Sequence, residues 1–135
     1  GELSLGLARR VALARAFAIE PDFLILDEPL ASLDQALAAR LREQIAMLVD
    51  SRSVMTLLVT HDIDDAVRLG DRVFLLSPRP THIVAELPIP TPRGARSEAG
   101  IAAIKADIAQ RMTATAPESA NVTMARISPR EARED

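Results

Sequence analysis

Phe23-Leu24-Ile25-Leu26-Asp27-Glu28 is a run of four apolar residues that ends at once in two carboxylates. A short apolar run without alternation predicts a strand buried on both faces of a parallel sheet. Its abrupt acidic end falls where open α/β sheets carry their ligands, beyond the carboxyl ends of the strands. Upstream, Leu7, Val11, Ala14 and Ala18 recur at three- and four-residue spacing, which predicts a helix over residues 4–20 with these residues as its apolar stripe. Ser4 or Gly6 suits its start and Pro21 its stop. Downstream, Ser32-Leu33-Asp34-Gln35 has the Ser-x-x-Gln form of a capping box, and a helix is expected over residues 33–49. Leu37, Leu41, Ile45 and Leu48 would form its buried face. Residues 54–60 are apolar and β-branched, hence a second buried strand, ending in Thr60-His61-Asp62. Asp62 can cap a short helix that Gly70 terminates. Residues 72–77 and 81–87 read as two further strands. This alternation of strands and helices predicts an α/β fold built on a parallel sheet with flanking helices.

Pro88, Pro90 and Pro92 mark a linker. Beyond it Ser97 can cap a last helix, with Ile101, Ile104, Ile108 and Met112 as a packing stripe. The expected organisation is a main unit over 1–92, a C-terminal helix within 93–115 and a disordered tail over 116–135.

Composition narrows the function. The 135 residues carry a formal net charge of −3 and no strongly basic stretch, which argues against nucleic acid or an anionic membrane as a direct partner. Three Phe are the only aromatic residues, too few for base-stacking platforms. The absence of Cys excludes disulfides, zinc ribbons and thiol nucleophiles. The apolar runs are too short to span a bilayer, and no charged-then-apolar leader follows Gly1.

Neighbouring residues on a strand point opposite ways, so Asp27 and Glu28 can hold different jobs. One carboxylate can bind Mg²⁺ through water while the other orients the attacking water of a phosphoryl transfer. This Walker-B-like segment does not stand alone. Leu3-Ser4-Leu5-Gly6-Leu7-Ala8-Arg9-Arg10-Val11-Ala12-Leu13-Ala14-Arg15-Ala16 precedes it, Ala31-Ser32-Leu33-Asp34 follows it, and His61 stands after the second strand. In order and spacing these resemble the signature motif, Walker B segment, D-loop and H-loop of ABC-type ATPases. The resemblance is continuous from residue 2 to about 92. Residues 59–68 and 72–80 look like nitrate, sulfonate and taurine importers.

The resemblance implies a P-loop NTPase-type sheet and roles for single residues. Asp27 would bind Mg²⁺ indirectly, Glu28 would be the general base, and His61 would contact the γ-phosphate of ATP. Asp34 would communicate across the interface of two such domains. Ser4 and Gly6 would cap the γ-phosphate bound to the opposite subunit, where a hydroxyl and a helix N-terminus suit an anion. The implied partners are a second ATP-binding subunit, as a homodimer, and transmembrane permease subunits at the inner face of the plasma membrane.

Two departures qualify this. Leu5 and Leu7 stand where the family commonly has Gly and Gln. No G-x-x-x-x-G-K-[ST] occurs, and the sole lysine, Lys105, lies between Ile104 and Ala106. The expectation is therefore the C-terminal half of an ATPase domain, inactive alone. A degenerate partner that supplies contacts without hydrolysis is the alternative. In the family the strand leading into the phosphate loop lies between the strands like 54–60 and 72–77. Its absence predicts a gapped sheet, with unpaired backbone groups and poor stability.

Overall fold

The computed structural model describes residues 4–78, 80–115 and 122–128. The fold is mixed α/β. Helix α1 (Leu5–Ala18) leads into strand β1 (Phe23–Asp27). Then come α2 (Gln35–Arg52), β2 (Met55–Thr60), α3 (Ile63–Leu69), β3 (Arg72–Leu76) and β4 (Ile83–Pro88). A 3-10 turn (Arg93–Ala95), α4 (Glu98–Thr115) and β5 (Val122–Ile127) complete it.

Local chemistry sets the helix starts. The Ser4 hydroxyl accepts the Leu7 N–H at 3.3 Å. At α2 the cap is Asp34, not Ser32: Asp34 Oδ1 accepts the Leu37 N–H at 2.9 Å, while Ser32 sits at φ 64° in the turn before it. An ionised carboxylate at an N-cap also meets the positive end of the helix dipole. Asp62 caps α3 by accepting the Asp64 N–H at 2.7 Å. Gly70 closes α3 at φ −74°, so left-handed freedom is not what its position requires. A Cβ there would lie 2.8 Å from the Ala125 Cβ and 2.7 Å from the Ala66 carbonyl oxygen. Close approach of α3 to the sheet requires the glycine.

The sheet runs β1-β2-β5-β3-β4. Among the described residues only β1 and β2 form a parallel ladder; β2–β5, β5–β3 and β3–β4 are antiparallel. This corrects the expected parallel sheet, although β1, β2 and β3 share one direction. It also corrects the tail. β2 and β3 do not pair with each other, but the place between them is filled by residues 122–127, read from the sequence as disordered. Thr60 pairs with Thr123 and Thr56 with Ile127 on one side; Leu76 pairs with Val122 and Arg72 with Arg126 on the other. Filling the slot gives both flanking strands ladder partners, which removes the backbone cost on which the expected instability rested.

Strand alternation divides the sheet into two faces. The inner one carries Leu26, Leu58, Ala125, Ile127, Val73 and Leu75, all buried. They join Leu41, Ile45 and Val49 of α2, Val67 of α3, and Ile101 and Ile108 of α4 in one core. The outer face carries Phe23 and Ile25, 53% and 59% exposed. The first strand is thus covered on one face only, against the expectation from its apolar run. Helix α1 also turns differently from its predicted stripe. Leu7, Val11, Ala14 and Ala18 are exposed, and Gly6, Leu13 and Phe17 are buried. This helix is apolar nearly all round, so periodicity alone does not choose its face.

Candidate active site

Glu28 and His61 meet at the carboxyl ends of β1 and β2. Parallel pairing brings Asp27 opposite Val59, and the ladder continues one step as the Glu28 N–H donates to the Val59 carbonyl at 2.8 Å. Glu28 itself adopts φ 46°. Left-handed backbone in a non-glycine residue costs roughly 1–2 kcal/mol and collects at functional positions. Here it ends β1 and turns the carboxylate across to the next strand. Glu28 Oε1 accepts the His61 backbone N–H at 3.0 Å and lies 2.8 Å from His61 Nδ1.

The pair is open to solvent, with side chains 34% exposed for Glu28 and 67% for His61. The hydrogen bond to Glu28 raises the His61 pKa above its ordinary value, and the Glu28 charge adds to it. Slight burial opposes this, while Asp62 and Asp65 reinforce it. Asp27 is exposed beside the pair at the end of β1.

A cavity of about 580 Å³ opens next to these groups, with Glu28, Ser32, Arg42, His61, Asp65 and Lys105 in its wall. Its floor is an ion-pair network that sequence reading did not single out. Arg42 of α2 donates to buried Asp65 from Nη2 at 2.6 Å and from Nε at 2.9 Å. Arg68 joins Asp64 at 2.7 Å and Glu98 of α4 at 2.7 Å, and Lys105 Nζ reaches Asp64 at 2.8 Å. Burial raises the Asp65 pKa against the pull of Arg42. Burial also pushes Asp64 up, but Lys105 and Arg68 outweigh it and hold the carboxyl below its usual range. The Asp64/Arg68 spacing of four on α3 is a signal the sequence offered. The partners on α2 and α4 come together only in the fold.

Ser4, Gly6 and Asp34 do not line this cavity, although Asp34 stands between Leu33 and Gln35, which do. Ser4 and Asp34 serve as helix N-caps. Gly6 is buried against Leu37, whose Cδ2 would lie 2.4 Å from an added Cβ. The N-termini of α1 and α2 therefore sit together, with Leu5 and Leu7 exposed at the first of them. His82, read as an ordinary surface residue, has its Nδ1 2.8 Å from the Ser77 hydroxyl and remains exposed. Among the described residues no three His, Cys, Asp or Glu groups gather as a metal cluster. No helix among them is long and apolar enough to cross a membrane.

Comparison with known proteins finds relatives of this chain. Residues 1–31 match the family model described as ABC transporter. The chain is 45% identical over 96 residues to the nitrate import ATP-binding protein NrtC of Synechocystis sp., covering 69% of this chain and 14% of that protein. It is 41% identical over 116 residues to the aliphatic sulfonates import ATP-binding protein SsuB 1 of Paraburkholderia xenovorans, covering 86% of this chain and 34% of the relative. The corresponding SsuB of Burkholderia ambifaria is 39% identical over 125 residues, 93% of this chain and 39% of the relative. The chain thus spans less than half the length of each of these relatives.

Proposed function

Starting from a chain that belongs to the ABC transporter family, we propose that its Glu28–His61 end is the water-activating half of an ATPase that powers solute import. The contact between Glu28 and His61 carries this reading. It sets a carboxylate base and an imidazole 2.8 Å apart at the ligand-binding ends of two parallel strands.

The residues present suit Mg·ATP in part. Asp27 offers hard oxygen donors, and Mg²⁺ takes one or two carboxylates together with waters and substrate phosphates, so a dedicated protein cage is unnecessary. Asp27 would hold the ion, which when bound neutralises charge on the phosphates. The phosphate cradle is another matter: the sequence has no G-x-x-x-x-G-K-[ST]. Activity therefore belongs to a longer protein that supplies that loop, and the 135-residue chain alone neither binds Mg·ATP tightly nor turns it over.

Within that protein, Glu28 accepts the proton of the attacking water. Glu28 Oε1 is shared with the His61 ring and backbone N–H, so His61 orients the base and then donates toward the γ-phosphate. Ser4 and Gly6 cap the γ-phosphate held by an opposing subunit, and Asp34 stands at that interface. The protein works as a pair of such subunits at the cytoplasmic face of a membrane permease, with nitrate- or sulfonate-like anions as cargo.

A second reading rests on Leu5 and Leu7, both exposed at the start of α1 where the family commonly has Gly and Gln. There the protein is a partner that supplies contacts without hydrolysis. Glu28→Gln in the phosphate-loop-bearing protein tests both. The amide keeps shape but cannot take a proton, so hydrolysis should fall at least ~100-fold with ATP binding retained. Turnover unchanged by the substitution would remove Glu28 from its role. No turnover in the unsubstituted protein would favour the contact-only reading.

A further inference from the structure

Helix α3 is seven residues long, under two turns, and His61 stands two residues before its start. A helix this short takes its direction from whatever it is fastened to, and the chain ahead of it passes that direction on. The junction is stiff: the Asp62 N–H donates to the Thr60 hydroxyl at 3.0 Å, and Thr60 is buried. A rotation of α3 about its axis is therefore felt at His61.

Three ion pairs fasten α3 to its neighbours. Arg42 of α2 donates twice to Asp65, from Nη2 at 2.6 Å and from Nε at 2.9 Å. Lys105 of α4 reaches Asp64 at 2.8 Å, and Arg68 donates to Glu98 of α4 at 2.7 Å. Only the first pair is shielded. The side chains of Arg42 and Asp65 are 18% and 6% exposed, against 42% for Lys105 and 79% for Glu98. Pairs with an exposed partner hold little. A buried pair adds little net stability either, since desolvation offsets its attraction; its best-attested use is to fix register. The place of this pair says what it fixes. It joins α2 to α3 in the wall of the cavity that Glu28 and His61 also line, and Asp65 follows His61 by about one helical turn. Two N–H groups of one planar guanidinium converge on Asp65 Oδ1, which holds that oxygen more firmly than a single swinging donor would.

We propose that Arg42 is a positioning residue for His61: its clamp on Asp65 sets the rotation of α3 and so holds the His61 ring against Glu28. This rests on the reading of Glu28 and His61 as the water-activating pair, and adds to it the side chain that keeps the two together. Arg42 acts through α3, and the fork of its guanidinium is the part that matters.

The test is a double-substitution cycle read at His61 in the full 135-residue chain. Imidazole proton shifts give the His61 titration with Glu28 present and with Glu28→Gln, and the difference measures how closely Glu28 is held to the ring. Asp62 and Asp65 also act on that ring; comparing the same difference in two backgrounds removes their direct effect. In Arg42→Met the Glu28-dependent difference should fall about two-fold or more, because the ring drifts from the carboxylate. Asp65→Asn, whose side-chain oxygen still accepts both bonds, should keep most of it, and Asp65→Leu should not. An equal difference in the parent and in Arg42→Met overturns the proposal, as does an equal difference in Asp65→Asn and Asp65→Leu. If Arg42→Met does not fold, Arg42→Lys decides: one ammonium in place of the fork should reduce the difference, and an unchanged one overturns the proposal. The reading beneath fails separately, by turnover that survives Glu28→Gln in the longer protein. The cycle needs no ATP, so the two failures are told apart.

Discussion

Two polar clusters in this molecule use the same chemistry to opposite ends. The Glu28–His61 pair is solvent-open and rests on a strained residue, and its carboxylate is shared between a ring and a backbone N–H. The Asp71–Arg93–Arg96 cluster is closed. Arg96 is 2% exposed and Arg93 8%, and their guanidinium groups are spent on Asp71, Asp50 and the carbonyls of Val67 and Ser128. Burial lowers the Arg96 pKa, and Asp71 opposes that fall. A cluster that must meet a ligand keeps its groups exchangeable and wet. A cluster that fastens β5 to the rest of the fold keeps its groups largely dry, with Arg93 Nε left buried and without a hydrogen-bond partner.

The contrast can be broken at three points. Arg93→Ala has the largest expected effect. It removes the Arg93 bonds to the partly buried Asp50 and Asp71 carboxylates and to the Ser128 carbonyl, and should cost about 2 kcal/mol, read as a lower urea midpoint with slow-exchanging amides lost first in β5. A change under about 0.5 kcal/mol would make the closed cluster as dispensable as a surface pair.

Asp64→Asn lies between the extremes. Asp64 ties Arg68 and Lys105 across α3 and α4 and is three-quarters buried. Its carboxyl pKa is depressed in the fold, so its stabilisation is present above the unfolded carboxylate value and is lost as pH falls through the depressed one. The amide should cost about 1 kcal/mol at neutral pH and flatten the acid limb of a thermal-melt series. A variant with the acid limb of the parent would locate that limb elsewhere.

Glu28→Gln should leave stability within about 0.5 kcal/mol, because the pair it breaks is exposed. Its signature is in titration. The His61 pKa is raised by Glu28, so the charged pair's small contribution is fully present below about pH 6.5 and disappears as pH climbs through the raised value. Imidazole proton shifts should show that raised value in the parent and a return toward the ordinary one in the variant. An unmoved His61 titration would mean that the pair is not coupled.

Legibility followed the same divide. Strands at 23–27 and 55–60 were readable because β-branched and apolar runs stop at polar residues, and the parallel pairing then brings Glu28 and His61 together. The cap of α2 was placed two residues early, since Ser32 and Asp34 both have capping chemistry and only backbone geometry separates them. Strand β5 was missed although Ala125-Arg126-Ile127 alternates buried, exposed, buried. Val122, Met124, Ala125 and Ile127 are apolar, but Thr123 and Arg126 break the run, and what makes it a strand is the vacancy between β2 and β3. Arg93 and Arg96 were not singled out within the 93–115 segment read as the C-terminal helix. Nothing local marks an arginine whose charged partner and α3 carbonyls lie more than twenty residues away.

The uncovered face of β1 has a consequence for the chain in solution. Among the described residues β1 ends the sheet order and pairs only with β2, so a row of backbone donors and acceptors faces outward beside Phe23 and Ile25. Four of its five residues are uncharged and apolar, with no proline, bulge or lysine to discourage a neighbour. It is a template on which another extended chain can nucleate. A single inward-facing charge placed along this rim would act as a gatekeeper.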